Sequence, residues 1–164
     1  MNRDAFLIDT DLGKIPIASI PKCGQHTLKE YSIGMIPLSE CINYRVRVAF
    51  IRDPVDRLLS CYHFFHSRSY DLDMSKIGRW EDFIDWALHS NDEHVLPQSE
   101  FINNTFNKFA PMASMSALLN FFTGKKIIIG NASKRHTTVD ETYRDNDIKK
   151  RYNADYELLR IARG

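Results

Sequence analysis

The chain has little of what marks a protein for a membrane or for nucleic acid. No apolar run reaches the roughly 18 residues that read as a bilayer-spanning helix, so no membrane span is expected. Lys and Arg number 22 against 21 Asp and Glu, a net charge of +1. With no overall field, no nucleic-acid partner or anionic surface is expected, and any anion must be bound locally. Cys23, Cys41 and Cys61 are odd in number and lack metal-ligand spacing, which points to a reduced, cytoplasmic chain. The opening stretch MNRDAFLIDTDL carries three aspartates and lacks the apolar core of a signal peptide. On that ground the sequons at Asn103 and Asn131 are read as chance. No repeat, low-complexity tract or linker divides the chain, so residues 1–164 read as one domain.

What is present suits one core: 164 residues, 43% of them apolar. Ala5–Asp9 and Ile15–Ile20 are short apolar runs around a turn, a plausible hairpin. A helix is expected from about Gln25 to Ile33, and a strand at Arg45–Arg52 whose late residues are continuously apolar. Asp53-Pro54 then opens a helix with an acidic N-cap and proline at its first position. That helix sets Leu58, Leu59, Tyr62 and Phe65 on one face. Further helices are expected at Trp80–Leu88, Met115–Phe122 and Asp147–Ala162, with a last strand at Lys126–Gly130. The order of elements predicts an α/β fold with a small, mainly parallel sheet between helices.

The segment IPIASIPKCGQHTLKEYS, Ile15–Ser32, places Lys22 and Gly24 where a strand gives way to a helix. Backbone N–H groups at such a junction favour an anion. The Walker A spacing is absent, since Lys22 precedes Gly24 and follows no earlier glycine of that pattern. A second segment, IRDPVDRLLSCY, places Arg52 at the end of a strand, Arg57 in the helix and Ser60 three residues beyond it. Arg52 and Ser60 can converge on a second phosphate. The plainer alternative pairs Arg52 with Asp56 and leaves Ser60 to water.

Together, Pro-Lys-x-Gly-x-x-Thr and Arg-Asp-Pro-x-x-Arg-Leu-x-Ser-x-Tyr resemble the sulfotransferase superfamily, whose donor is 3′-phosphoadenosine 5′-phosphosulfate (PAPS). The likeness is nearest to the carbohydrate branch of the chondroitin and HNK-1 type. It extends to the Phe6–Lys22 entry, to Asp92-Glu93-His94-Val95-Leu96-Pro97-Gln98 and to Tyr152-Asn153-Ala154-Asp155-Tyr156. It implies a P-loop-like three-layer fold and a carbohydrate or other small hydroxyl acceptor, with no metal. Members of that branch commonly carry an N-terminal membrane helix, which this sequence lacks.

Under that resemblance Lys22 stabilises the leaving phosphate. Gly24, Gln25, His26 and Thr27 hold the 5′-phosphate, and Arg52 and Ser60 the 3′-phosphate. Lys134-Arg135-His136 is a basic loop that closes over the nucleotide, or an ordinary solvated turn. His94, near Asp92 and Glu93, is the candidate general base, with Glu93 or a purely structural histidine as the alternatives. Cys23, Gln25, His26 and Leu28 depart from the family pattern. Cys23 is either reactive at a helix start or simply packed, with packing preferred. The rings of Tyr62, Phe64, Phe65, Tyr70, Trp80 and Trp86 are expected in the core, and none is assigned to substrate. Two other readings remain open: a Mg²⁺-dependent P-loop phosphotransferase and a non-catalytic PAP- or PAPS-binding module.

Overall fold

The structure is a computed structural model, and it describes residues 4–11, 13–67, 77–102, 104–127 and 139–164. The chain opens with β1 (Asp4–Thr10) and β2 (Gly13–Ala18), an antiparallel hairpin with Thr10 opposite Gly13. Gly13 takes φ +99° in its turn, a backbone that glycine adopts without strain. Next come α1 (Gln25–Tyr31), β3 (Gly34–Pro37) and α2 (Leu38–Cys41), then β4 (Val48–Ile51) and α3 (Pro54–Ser67). After α4 (Trp80–Ala87) and the single turn α5 (Ser99–Ile102) comes β5 (Lys108–Pro111), and a short 3-10 turn leads into α6 (Met115–Thr123). The chain ends in α7 (Asp145–Arg151) and α8 (Asn153–Arg163).

The strands order as β3-β1-β2-β4-β5. β1 is antiparallel to both β2 and β3, whereas β2–β4 and β4–β5 are parallel. The sheet is therefore mixed, and the expectation of a mainly parallel one is corrected. A tight hairpin can only return antiparallel, and β3 comes back against β1 after the short α1.

Every residue of β4 is buried, as in a strand covered on both faces. Ala49 and Ile51 pack with Ala5, Ala18, Phe101 and Leu159, while Val48 and Phe50 pack with Phe6, Ile17, Leu28 and Met115. Side chains alternate across a strand, so helices flank both faces: α2, α5 and α8 on one, α1 and α6 on the other. A third cluster joins α3, α4 and α7 through Leu58, Tyr62, Phe65, Trp80, Phe83 and Ile148.

The segment expected as one helix from Asp147 is two, divided at Tyr152 (φ −102°, ψ 22°). The buried Tyr152 hydroxyl donates to the Val95 carbonyl, holding the break against the 90–98 loop. At the expected last strand, Lys126 and Ile127 lie outside any strand, with Ile127 buried in the core. Residues 128–130 are outside the described residues. No helix among the described residues is long and apolar enough to cross a membrane.

Candidate functional site

Ile17 of β2 faces Val48 of β4 in the parallel pair, so the C-terminal ends of both strands lie side by side. The two motif segments leave the sheet there. After β2, the Cys23 N–H donates to the Ile20 carbonyl at 3.1 Å, closing a turn with Pro21 second and Lys22 third. Lys22 takes φ +65°, at a position where such turns favour glycine or asparagine. A lysine there carries a backbone cost of about 1 kcal/mol, the kind of local strain that collects at functional sites. Gly24, with φ +80°, precedes α1. A Cβ at Gly24 would lie 2.6 Å from Met115 Cε, so a larger residue would also displace a methionine that is fully buried.

Within this loop the side chains divide. Thr27 is buried, His26 is exposed, and Gln25 donates from Nε2 to Ser19 Oγ at 2.9 Å. Cys23 is packed: its thiol donates to Gln98 Oε1 at 3.1 Å, and burial pushes its pKa up to about 11. A thiol so shifted is inert at neutral pH, so the packing role holds for Cys23 over the reactive one.

At the end of β4, Asp53 caps α3 as expected: its Oδ1 accepts the N–H groups of Val55 (3.0 Å) and Asp56 (3.3 Å). Arg52 turns toward the first loop, donating from NH1 to the Lys22 carbonyl at 3.1 Å. Ser60, further along α3, is buried. Arg57 is 1% exposed and also reaches the first loop. Its Nε donates to Pro21 O at 3.0 Å, NH1 to Leu96 O at 2.7 Å and NH2 to Glu93 O at 3.4 Å. Three cationic side chains, those of Lys22, Arg52 and Arg57, therefore gather at one turn of a chain with a net charge of +1.

His94 lies between α4 and α5. Asp92 Oδ1 accepts both its backbone N–H (2.8 Å) and, from the side chain, Nδ1 (2.9 Å). The side-chain hydrogen bond from His94 holds the Asp92 carboxyl below its ordinary pKa, ahead of the backbone bond and against the opposing effect of burial. An ionised Asp92 accepts a proton-bearing Nδ1, which makes Nε2 the basic nitrogen of the neutral ring. The imidazole stacks on Phe64, with centroids 5.2 Å apart and planes at 25°. The Nζ of Lys22 lies 4.1 Å from the centre of that same ring. The structure thus brings Lys22 and His94 together around Phe64.

Beneath both loops lies a buried polar hub that residue-by-residue reading of the sequence missed. Gln98 and Asp155 are each 0% exposed. The Gln98 amide accepts from Arg52 N–H at 2.9 Å and donates to Arg52 O at 2.8 Å, bonding the end of β4 as another strand would. Asp155, from α8, accepts Gln98 N–H at 2.8 Å and Ser99 N–H at 2.9 Å. The segments Asp92–Gln98 and Tyr152–Tyr156, quoted separately for the resemblance, meet here. Arg57 did leave a signal: it shares the 54, 57, 58, 61, 65 spacing of the buried α3 stripe, where a cation is out of place unless held.

Of the remaining site expectations, Lys134, Arg135 and His136 lie outside the described residues, as does Tyr70. Tyr62, Phe65 and Trp80 are core, as expected, and Trp86 packs edge-on against Phe65. Among the described residues no group of three or more His, Cys, Asp or Glu side chains is arranged to hold a metal ion. Comparison with known proteins finds no matching family model, curated protein or solved structure.

Proposed function

We propose that the chain is a PAPS-dependent sulfotransferase acting on an acceptor hydroxyl, with a carbohydrate as the favoured acceptor class. One observation carries the reading: Lys22 in its strained turn and the Asp92-oriented His94 both contact the ring of Phe64. A cation at a leaving phosphate and a base at an attacking hydroxyl are the two groups sulfuryl transfer needs.

In this reading the acceptor oxygen attacks sulfur while His94 Nε2 takes its proton. The bond from sulfur to the bridging phosphate oxygen breaks, and PAP leaves with the bond's electrons on its 5′-phosphate. Lys22 stabilises that charge. Gly24, Gln25, His26 and Thr27 bind the 5′-phosphate. Gln25 contributes its backbone N–H, because its side chain is committed to Ser19. Arg52 and Ser60 bind the 3′-phosphate, with Arg52 able to serve while NH1 remains on the Lys22 carbonyl, since a guanidinium has five N–H donors.

Calorimetric titration with PAP, with 5′-AMP and with ATP plus Mg²⁺ tests the donor site. PAP binding tightly, AMP and ATP weakly, and loss of PAP binding in Arg52→Ala is the expected pattern. Preference for ATP, or PAP binding unchanged by Arg52→Ala, removes the reading. With PAP binding established, His94→Ala is expected to lower turnover by about 100-fold or more and leave PAP affinity unchanged. PAP binding without turnover on any hydroxyl acceptor would favour the non-catalytic module.

A further inference from the structure

We infer that Arg57 is a positioning residue that sets the loop of Lys22 against the loop of His94. The inference rests on the sulfotransferase reading for its functional meaning, but its geometry stands apart from it. One fully buried guanidinium donates to Pro21 O, the carbonyl just before Lys22, and to Glu93 O and Leu96 O, on either side of His94. Its bonds to all three are to backbone, so it fixes main-chain positions and leaves the functional side chains in place above it. The loops leave from different parts of the sequence, 36 and 39 residues from their common partner. A planar fork with a permanent charge can bridge them at a set spacing, which an ammonium cannot do.

Burial adds a second argument. A cation taken from water is retained only where its donors are satisfied. Here carbonyl oxygens satisfy them, so the charge of Arg57 is not consumed by a carboxylate. It adds to the positive potential under the turn where Lys22 and Arg52 meet. Loss of the fork would leave the turn tied to the His94 loop only through Gln98, by the Cys23 thiol and by Arg52, and a misplacement of about 1 Å between catalytic groups can cost on the order of 100-fold in rate.

Native-state hydrogen exchange on the wild-type chain is the first test and needs no variant. The amides of 22–28 and 93–98 should exchange through one opening, with a common free energy and a common dependence on urea. Two independent openings would overturn the proposal. Arg57→Lys and Arg57→Gln then test it directly. Both segments should lose protection together while β1 and α6 keep theirs. Uniform loss across the molecule, or unchanged exchange in either segment, would reduce Arg57 to a general stabiliser.

Turnover per PAP-binding site, counted by calorimetric stoichiometry, should fall by about 100-fold in a folded Arg57→Lys without a matching rise in acceptor KM. Wild-type turnover per site in that variant would also overturn the proposal. If the wild type binds no PAP, the sulfotransferase reading falls, and the exchange data still decide whether Arg57 couples the two loops.

Discussion

The ammonium of Lys22 lies 4.1 Å from the centre of the Phe64 ring, against the face of negative charge that an aromatic ring presents to a cation. His94 stacks on the same ring, so Phe64 is the shared neighbour of both side chains. Phe64→Leu keeps most of the apolar volume and removes that face. In a double-mutant cycle with Lys22→Ala, read by urea unfolding, the coupling energy is expected at about 0.5–1 kcal/mol. A coupling near zero would separate Lys22 from the ring.

Lys22 itself separates backbone from side chain. Its φ of +65° favours glycine, so Lys22→Gly should be more stable than Lys22→Ala by about 1 kcal/mol. On the sulfotransferase reading, both variants should lose PAPS-dependent turnover alike. Equal stabilities would show that the turn is not strained by its lysine.

The Asp92–His94 bond has a definite pH signature. Hydrogen bonding lowers the folded-state pKa of Asp92 below its unfolded value. Its contribution is therefore present above the unfolded carboxylate pKa of about 3.9 and is lost as pH falls through the folded one. Asp92→Asn should flatten the acid limb of the urea midpoint between about pH 2 and pH 5. It should also depress turnover near neutrality, because an amide no longer fixes the His94 tautomer.

Asp155→Ala should be among the most destabilising single changes in the chain. It strips acceptors from the buried N–H of Gln98 and the part-buried N–H of Ser99, and a buried donor left unmet costs about 1–3 kcal/mol. Urea unfolding should show a loss of about 3 kcal/mol or more. Glu157→Ala, two residues along α8 in an exposed pair with Arg160, should stay within about 0.5 kcal/mol.

The three thiols should be silent in the folded protein. Burial pushes Cys23, Cys41 and Cys61 each up to about 11, so thiolate is scarce at about pH 8. An aromatic disulfide reagent should label none in the native state and all three in urea. Prompt labelling of Cys23 would mean that its loop opens locally.

The strands and helices with strong local signals were legible: the hairpin, the apolar run ending at Arg52 and the Asp53-Pro54 start of α3. Each is specified by neighbours a few residues away. β3 and β5 escaped because each has four residues and ends in proline, and only pairing with β1 and β4 makes them strands. The direction of the sheet followed from the hairpin, whose antiparallel return was not carried through to the whole. At the site, Lys22 and His94 were legible as residue types at suggestive positions. The roles of Arg57, Gln98 and Asp155 were not, because their partners lie 36 to 75 residues away.

That separation has a kinetic side. The β1–β2 hairpin closes within a few residues and can form at once. The bonds of Arg57 and Gln98 close long loops, whose entropy must be met before any contact rewards it. Cys23 reaches Gln98 across 75 residues of chain, and Gln98 reaches Asp155 in the last helix. The Gln98–Asp155 hub cannot form until α8 has docked. A nascent chain released before α8 would hold the hairpin without this hub, so on the sulfotransferase reading PAP binding would double as a report that folding is complete.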